Sequence, residues 1–345
     1  MGSEMAKWIR VISLFLLPAV GGIAQTGGDN VYEFLNLTQS GLESSLGGSN
    51  VSLAGSSLSL AWTNPALLSR SMSGNVALNF TNYLAGVNYG MALYSRTSGK
   101  SAAIGGGVSY LNYGSFTEAD ETGAITGSFS ASEIALALMY SFHPDSMFSA
   151  GINFKPLVSQ LEKYNSFGLA FDLGASWHNR DNYLSAGLAI RNLGIQLSSY
   201  AGEPKSSLPL EIIAGFSVRL RHAPFRFSLT MRHLEKFKLT HHYNTDEYNK
   251  QNIGDIGENI LRHAVAGVEI IPHKNFWLSF GYNHQRRSEL KSDIKSSGTG
   301  FSWGFGINST VARIEFGRAS YHLAAASNNI SVILMPGKMF NRKQL

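Results

Sequence analysis

From Asn75 onward the chain alternates. Large apolar residues and small or polar ones change places at nearly every step, in segments of about ten residues bounded by turn signals, the pattern of strands with unlike surroundings on their two faces. In NVALNFTNY, Val76, Leu78 and Phe80 oppose Asn75, Asn79 and Thr81, and in GVNYGMALYS the set Val87, Tyr89, Met91 and Leu93 opposes Asn88, Gly90, Ala92 and Tyr94. SFGLAFDLGASW sets Phe167, Leu169, Phe171, Leu173, Ala175 and Trp177 against Gly168, Asp172, Gly174 and Ser176, and GFSWGFGIN sets Phe301, Trp303, Phe305 and Ile307 against Gly300, Ser302, Gly304 and Gly306. A soluble sandwich would turn its large side chains to a core and carry many Lys and Glu outside. Charged residues are only 15% here, so the large apolar face reads as lipid-facing and the small polar face as luminal.

About fourteen such segments follow one another, near 75–83, 86–95, 102–112, 128–142, 147–157, 166–178, 183–192, 208–220, 225–233, 262–271, 275–283, 299–308, 311–321 and 328–335. Short polar turns at 143–146, 179–182, 221–224 and 272–275 alternate with longer polar connections at 113–127, 193–207, 234–261 and 284–298. Parity places the short turns on one side, as in bacterial barrels with short periplasmic turns and long outer loops, and the tight YLAG turn on the outer side is a local exception. The fold expected is an all-β transmembrane barrel of the outer membrane, residues 73–345, with about 14 antiparallel strands.

Two segments precede it. Lys7 and Arg10 lead into the apolar run VISLFLLPAV and the small residues GGIAQ, the layout of a secretory signal over 1–24, too short to span a bilayer as a helix. Residues 25–72 are too apolar for a free tail and too short for a core of their own, so a plug or hatch is expected there. Its apolar side chains, Phe34, Leu35, Leu37, Leu46, Leu58, Leu60, Trp62, Leu67 and Leu68, belong in the lumen or mouth, or packed at the periplasmic rim. Within AWTNPALLSR, Asn64 and Pro65 read as an N-cap followed by Pro at the first helical position.

Composition narrows the chemistry. The chain has no Cys, which removes disulfides, thiolates and Zn–Cys sites, and the net charge of +5 is scattered without a basic block, which gives no sign of nucleic-acid binding. GFSWG matches the nucleophile-elbow spacing GxSxG, but strand alternation continues through FGIN, so Ser302 reads as a luminal strand residue. His241 and His242 with Asp246 and Glu247 could hold a metal, though adjacent loop histidines are commonly solvated. The GGG at 105–107 lets a strand coil or the plug approach closely. No cofactor or enzymatic site is expected. Tyr243, Tyr248 and Tyr321 are candidates for partner contacts, since long loops carry function on such scaffolds.

VYEFLNL, SGLESSLGG, WTNPALL, YLAGVNYG, RNLG at 191–194 and LPLEIIAGFS at 208–217 together resemble the PorQ branch of the PorV/PorQ family, outer-membrane barrels of the type IX secretion system related more distantly to FadL-type barrels. The resemblance runs from about residue 31 to the C-terminus. It implies a non-enzymatic barrel in a Bacteroidota-like outer membrane, in contact with lipid and lipopolysaccharide. It also implies a PorZ-like surface partner and, through it, PorU/PorV-like components that attach secreted proteins to lipopolysaccharide. The alternative is a FadL-like transporter of hydrophobic small molecules with a moving plug; a general porin fits less well, because residues 31–72 would occlude the lumen.

Overall fold

The computed structural model describes residues 30–200, 202–239, 253–290, 298–322 and 325–337. The signal segment, His241, His242, Tyr243, Asp246, Glu247 and Tyr248 lie outside the described residues. Fourteen strands close into one antiparallel barrel in sequence order. They are β1 (Val76–Asn82), β2 (Asn88–Ser98), β3 (Ala102–Ala119), β4 (Ile125–Phe142), β5 (Phe148–Leu161), β6 (Tyr164–His178), β7 (Leu184–Ser198), β8 (Glu211–Arg219), β9 (Phe225–Met231), β10 (Ala264–His273), β11 (Phe276–Asn283), β12 (Phe301–Asn308), β13 (Ala312–His322) and β14 (Ala325–Leu334). Closure is made by β1 against β14, in register from Val76↔Leu334 to Asn82↔Asn328. Every strand edge along that seam is thereby paired, the condition for backbone to cross lipid.

The outer surface is apolar. Leu78, Phe80, Leu138, Leu173, Phe301 and Trp303 are exposed, whereas the alternate residues Asn79, Ser141, Asn153, Asp172, Ser279 and Ser302 are buried toward the lumen. Strand β2 reverses the expected assignment: Tyr89, Met91 and Leu93 are buried inside and Tyr94 is 48% exposed. Period two defines two faces without saying which one is inside, and here the plug supplies an apolar interior that accepts large side chains.

The expected connections at 113–127 and 193–207 are also corrected. Strands β3 and β4 each run 18 residues, and β7 continues to Ser198, so much of both stretches is strand rather than loop. Ladder pairing between β3 and β4 continues from Ser115↔Ser130 to Ala119↔Ile125 after a break in register at Asn112/Ser115. The polar, lipid-independent composition of this part conceals its strand character. On the opposite side the strands are short, with 7 residues in β9 and 8 in each of β11 and β12. The expected connections at 234–261 and 284–298 likewise contain helix: α2 (Ile253–His263) and α3 (His284–Leu290), α1 being Gly41–Ser45 in the plug.

Candidate functional site: the hatch and its two walls

Residues 31–73 thread the lumen from the long-loop end, where Val31 N–H donates to Ser207 O, to the short-turn end, where Ser73 bonds Thr97 and the chain enters β1. Local sequence fixes each bend of this hatch. The Ser40 hydroxyl caps α1 by accepting from Glu43 N at 3.2 Å, and Gly47 and Gly48, with φ of 97° and 98°, end it in a conformation that L side chains resist. Leu42 of α1 and Leu46 just after it pack with Leu53, Leu60 and Leu67, giving the hatch a small core of its own. Asn64 caps the turn Pro65–Leu67, its Oδ1 accepting from Ala66 N at 3.0 Å, as the NPA sequence requires. Its amide also donates to Val51 O and Ala175 O, tying the turn to the wall. Phe34, Leu35, Trp62, Asn64 and Pro65 are all buried in the lumen.

The wall meets the hatch differently on its two sides. Toward β2–β6 an apolar cluster, in which Leu35, Leu58, Trp62, Leu68 and Met72 pack with Tyr89, Met91, Leu93, Leu111, Met139 and Leu157 of the strands, is added to hydrogen bonds such as Ser149 to Ala66 O at 2.8 Å and Tyr89 to Thr38 O at 2.7 Å. A buried ion pair sits within this side, Lys155 Nζ 2.5 Å from Asp172 Oδ2, with the Lys155 ammonium 5.0 Å from the Trp62 ring centre. Such a cation over an indole is held by the ring quadrupole.

Toward β11–β14 the contact is a row of hydrogen bonds onto α1. Gly41 N donates to Ser331 Oγ at 2.9 Å, Asn329 donates to Ser44 Oγ at 2.9 Å, Ser279 donates to Ser45 Oγ at 2.7 Å, Ser302 donates to Ser45 O at 3.0 Å, and Asn283 donates to Gly47 O at 3.2 Å. Ser302, the serine of GFSWG, is thus a wall residue bonded to the hatch. Glycines set the spacing on this side: a Cβ at Gly281 would lie 2.2 Å from Gly47 N, and one at Gly317 would lie 2.1 Å from Gly41 O. Gly105, within the GGG run, faces Leu68 of the hatch, where a Cβ would come within 3.3 Å of its Cδ2.

Charges hold the remaining arc. Arg191 donates to Leu35 O at 2.7 Å and to Glu211 at 3.1 Å, and Glu211 also accepts from Arg232 at 2.6 Å. Arg226 clamps Glu269 and reaches Ser56 of the hatch at 3.2 Å. Within α1 the buried Glu43 accepts from Thr63 at 2.9 Å. Sequence reasoning missed these arginines, since single Arg residues scattered over β7, β9 and the segment after it carry no motif.

Near the short-turn end a cavity of about 210 Å³ is lined by Ala66, Leu67, His143, Phe148, His178 and Asn182, among others. His143 Nε2 lies 3.0 Å from Leu68 O and joins this end of the hatch to the β4–β5 turn. Burial chiefly, with Arg70 and His178 adding to it and the Leu68 carbonyl opposing, holds the His143 imidazole below its usual range. The neutral ring therefore donates through Nε2.

Tyr321 is at the end of β13 with its ring engaged, 5.3 Å from the Tyr83 ring and 4.3 Å from the Arg286 guanidinium. Among the described residues no group of three His, Asp or Glu side chains is placed to hold a metal.

No protein-family model matches the sequence, and no curated protein matches it. Solved structures do resemble the fold. The Pseudomonas putida toluene transporter TodX aligns with a TM-score of 0.51 at 12% identity, covering 86% of this chain and 97% of TodX. The TodX deltaS2 mutant, a monoaromatic hydrocarbon channel, aligns at 0.52 and 12% over 86% of this chain and 98% of the mutant. A Pseudomonas aeruginosa FadL homologue aligns at 0.44 and 10% over 86% and 97%. At these identities the likeness is one of fold: the chain is a 14-stranded transmembrane β-barrel of the outer-membrane type.

Proposed function

We propose that the barrel is a FadL-like, non-enzymatic transporter of hydrophobic small molecules across the outer membrane of a Gram-negative cell, gated by the hatch. One observation carries this reading: the lumen runs from end to end but is filled by a segment that no disulfide secures, and that meets the β11–β14 wall through hydrogen bonds between small residues. Each such bond contributes roughly 0.5–1.5 kcal/mol net, so this wall can be left and regained at modest cost. The fold likeness to TodX, named for toluene and for monoaromatic hydrocarbons, supports apolar cargo. The test is uptake of radiolabelled toluene by proteoliposomes carrying the Ser45→Cys, Ser279→Cys pair, whose native hydroxyls are 2.7 Å apart. The protein-dependent part of the uptake rate, above that of empty liposomes, is expected to stop on oxidation and return on reduction; a protein-dependent rate unchanged in the oxidised protein would contradict gating by this segment.

A second reading is an anchor in a type IX attachment complex of a Bacteroidota-like outer membrane, holding a PorZ-like surface partner and, through it, PorU/PorV-like components. It is favoured by the sequence resemblance and by the β3–β4 ribbon, which continues past the last β2 partner at Asn112 and the last β5 partner at Ala131 and so offers two backbone edges to another chain. Purification from mildly solubilised outer membranes discriminates the two. Stoichiometric recovery of a large surface protein favours the anchor, and repeated recovery of the barrel alone removes it.

A further inference from the structure

Helix α2 is packed inside out. Several of its polar side chains bond to the protein: Glu258, its side chain 38% exposed, accepts from Arg262 at 3.1 Å, from His284 at 2.9 Å and from Ser288 at 2.9 Å, while the buried Asn259 accepts from Leu239 N and donates to Phe237 O. His263 is buried, its Nδ1 2.7 Å from Arg232 O, which fixes the helix base to the end of β9. The opposite face carries Ile256, Ile260 and Leu261, exposed by 47%, 54% and 50%, and beside it the loop leaves Leu234 and Phe237 exposed by 45% and 77%. A helix bordered by water turns these two faces the other way round.

Strand length says what lies outside. The helix runs without a break into β10, whose neighbour β9 has only 7 residues, against the ~9–11 that a tilted strand needs to cross the hydrocarbon. At ~3.4 Å per residue and ~40° of tilt, β9 covers under ~20 Å of an apolar band ~25 Å tall. Outward-facing Leu229 and Ala266, paired across β9 and β10, carry the lipid-facing surface to within a few residues of the helix base. Above them, α2 and the 234–237 loop expose further large apolar side chains.

We propose that α2 is an interfacial helix seated in the outer leaflet, its Ile256, Ile260 and Leu261 face and Phe237 against acyl chains, completing the hydrocarbon belt where β9 falls short. The inference is independent of what the lumen transports. Because the chain has no Cys, single nitroxide labels can be placed at Ile260→Cys and, on a loop with no packing to lose, Phe237→Cys. Leu229→Cys on the barrel wall serves as the lipid reference and Glu121→Cys at the exposed β3–β4 turn as the aqueous one. In phosphatidylcholine vesicles, both test labels are expected to match Leu229→Cys, with collisions with oxygen severalfold more frequent, relative to a water-soluble nickel chelate, than at Glu121→Cys. Nickel accessibility like that of Glu121→Cys would mean a water-exposed face, and shielding from both reagents would mean a face covered by protein; either result overturns the proposal.

Discussion

The β2–β6 wall and the β11–β14 wall hold the same hatch by different means. Both use hydrogen bonds and close-approach glycines, but the first adds an apolar cluster of Tyr89, Met91, Leu93, Leu111, Met139 and Leu157 around Trp62, whereas the second holds α1 through Ser279, Ser302, Asn329 and Ser331 without one. Apolar packing is lost steeply as surfaces part, because vacated contacts are not replaced. Hydrogen bonds on a small-residue wall can be exchanged for bonds to water. The difference teaches that the α1 half of the hatch lies outside the apolar cluster that holds Trp62, so under the proposed gating α1 is the part expected to leave the wall while Trp62 stays seated.

The largest effect is expected from breaking the fixed half. Trp62→Ala removes the most deeply packed aromatic of the hatch and is expected to cost about 3–5 kcal/mol of hatch stability, seen as general loss of amide protection across residues 41–72 with the barrel retained. Confinement of the loss to α1 would undo the distinction between the walls. Gly281→Ala attacks the other half: its Cβ would meet Gly47 N at 2.2 Å, and a cost of about 1–3 kcal/mol is expected, with protease sensitivity confined to residues 41–48. Asn329→Ala removes the hydrogen bond to Ser44 together with those to Thr81 and Ser327 and is expected to cost about 1–2 kcal/mol, read by the same assay.

The smallest effect concerns α2. Burial would raise the Glu258 carboxyl, but hydrogen bonds from His284 and Ser288, with the charges of His284 and Arg262, outweigh it and hold the group below its usual range. A depressed carboxylate contributes stability that is fully present above its unfolded value of about 4.3 and disappears as pH falls through the folded value. Amide protection in α2, taken relative to the intrinsic exchange rate at each pH, is therefore expected to fall as pH drops below about 4. A flat profile there would show that Glu258 does not tie α2 to α3.

Much of this molecule is legible in its sequence. The strand segments, the side of the short turns and the Asn64–Pro65 cap follow from alternation and turn chemistry alone, because lipid outside and small residues inside impose opposite demands on neighbouring positions. What the pattern did not reveal has physical reasons. Strand β2 inverts because Tyr89, Met91 and Leu93 are received by the hatch, and period two is blind to which side is filled. The outer parts of β3 and β4 leave the membrane and lose the lipid signature while keeping their hydrogen bonds. Helix α2 hides in a long connection because its apolar stripe is short and interrupted by Gly257, and the buried Arg191, Arg226 and Arg232 are set by barrel register rather than by spacing along the chain.

The division of the hatch is tested most directly by residue-resolved hydrogen exchange of the native protein in lipid nanodiscs. Amides of residues 41–48 are predicted to open at least tenfold more often than those of residues 58–68, a difference of about 1.4 kcal/mol. Equal protection of the two segments, or greater protection on the β11–β14 side, would contradict a hatch that hinges on its apolar half.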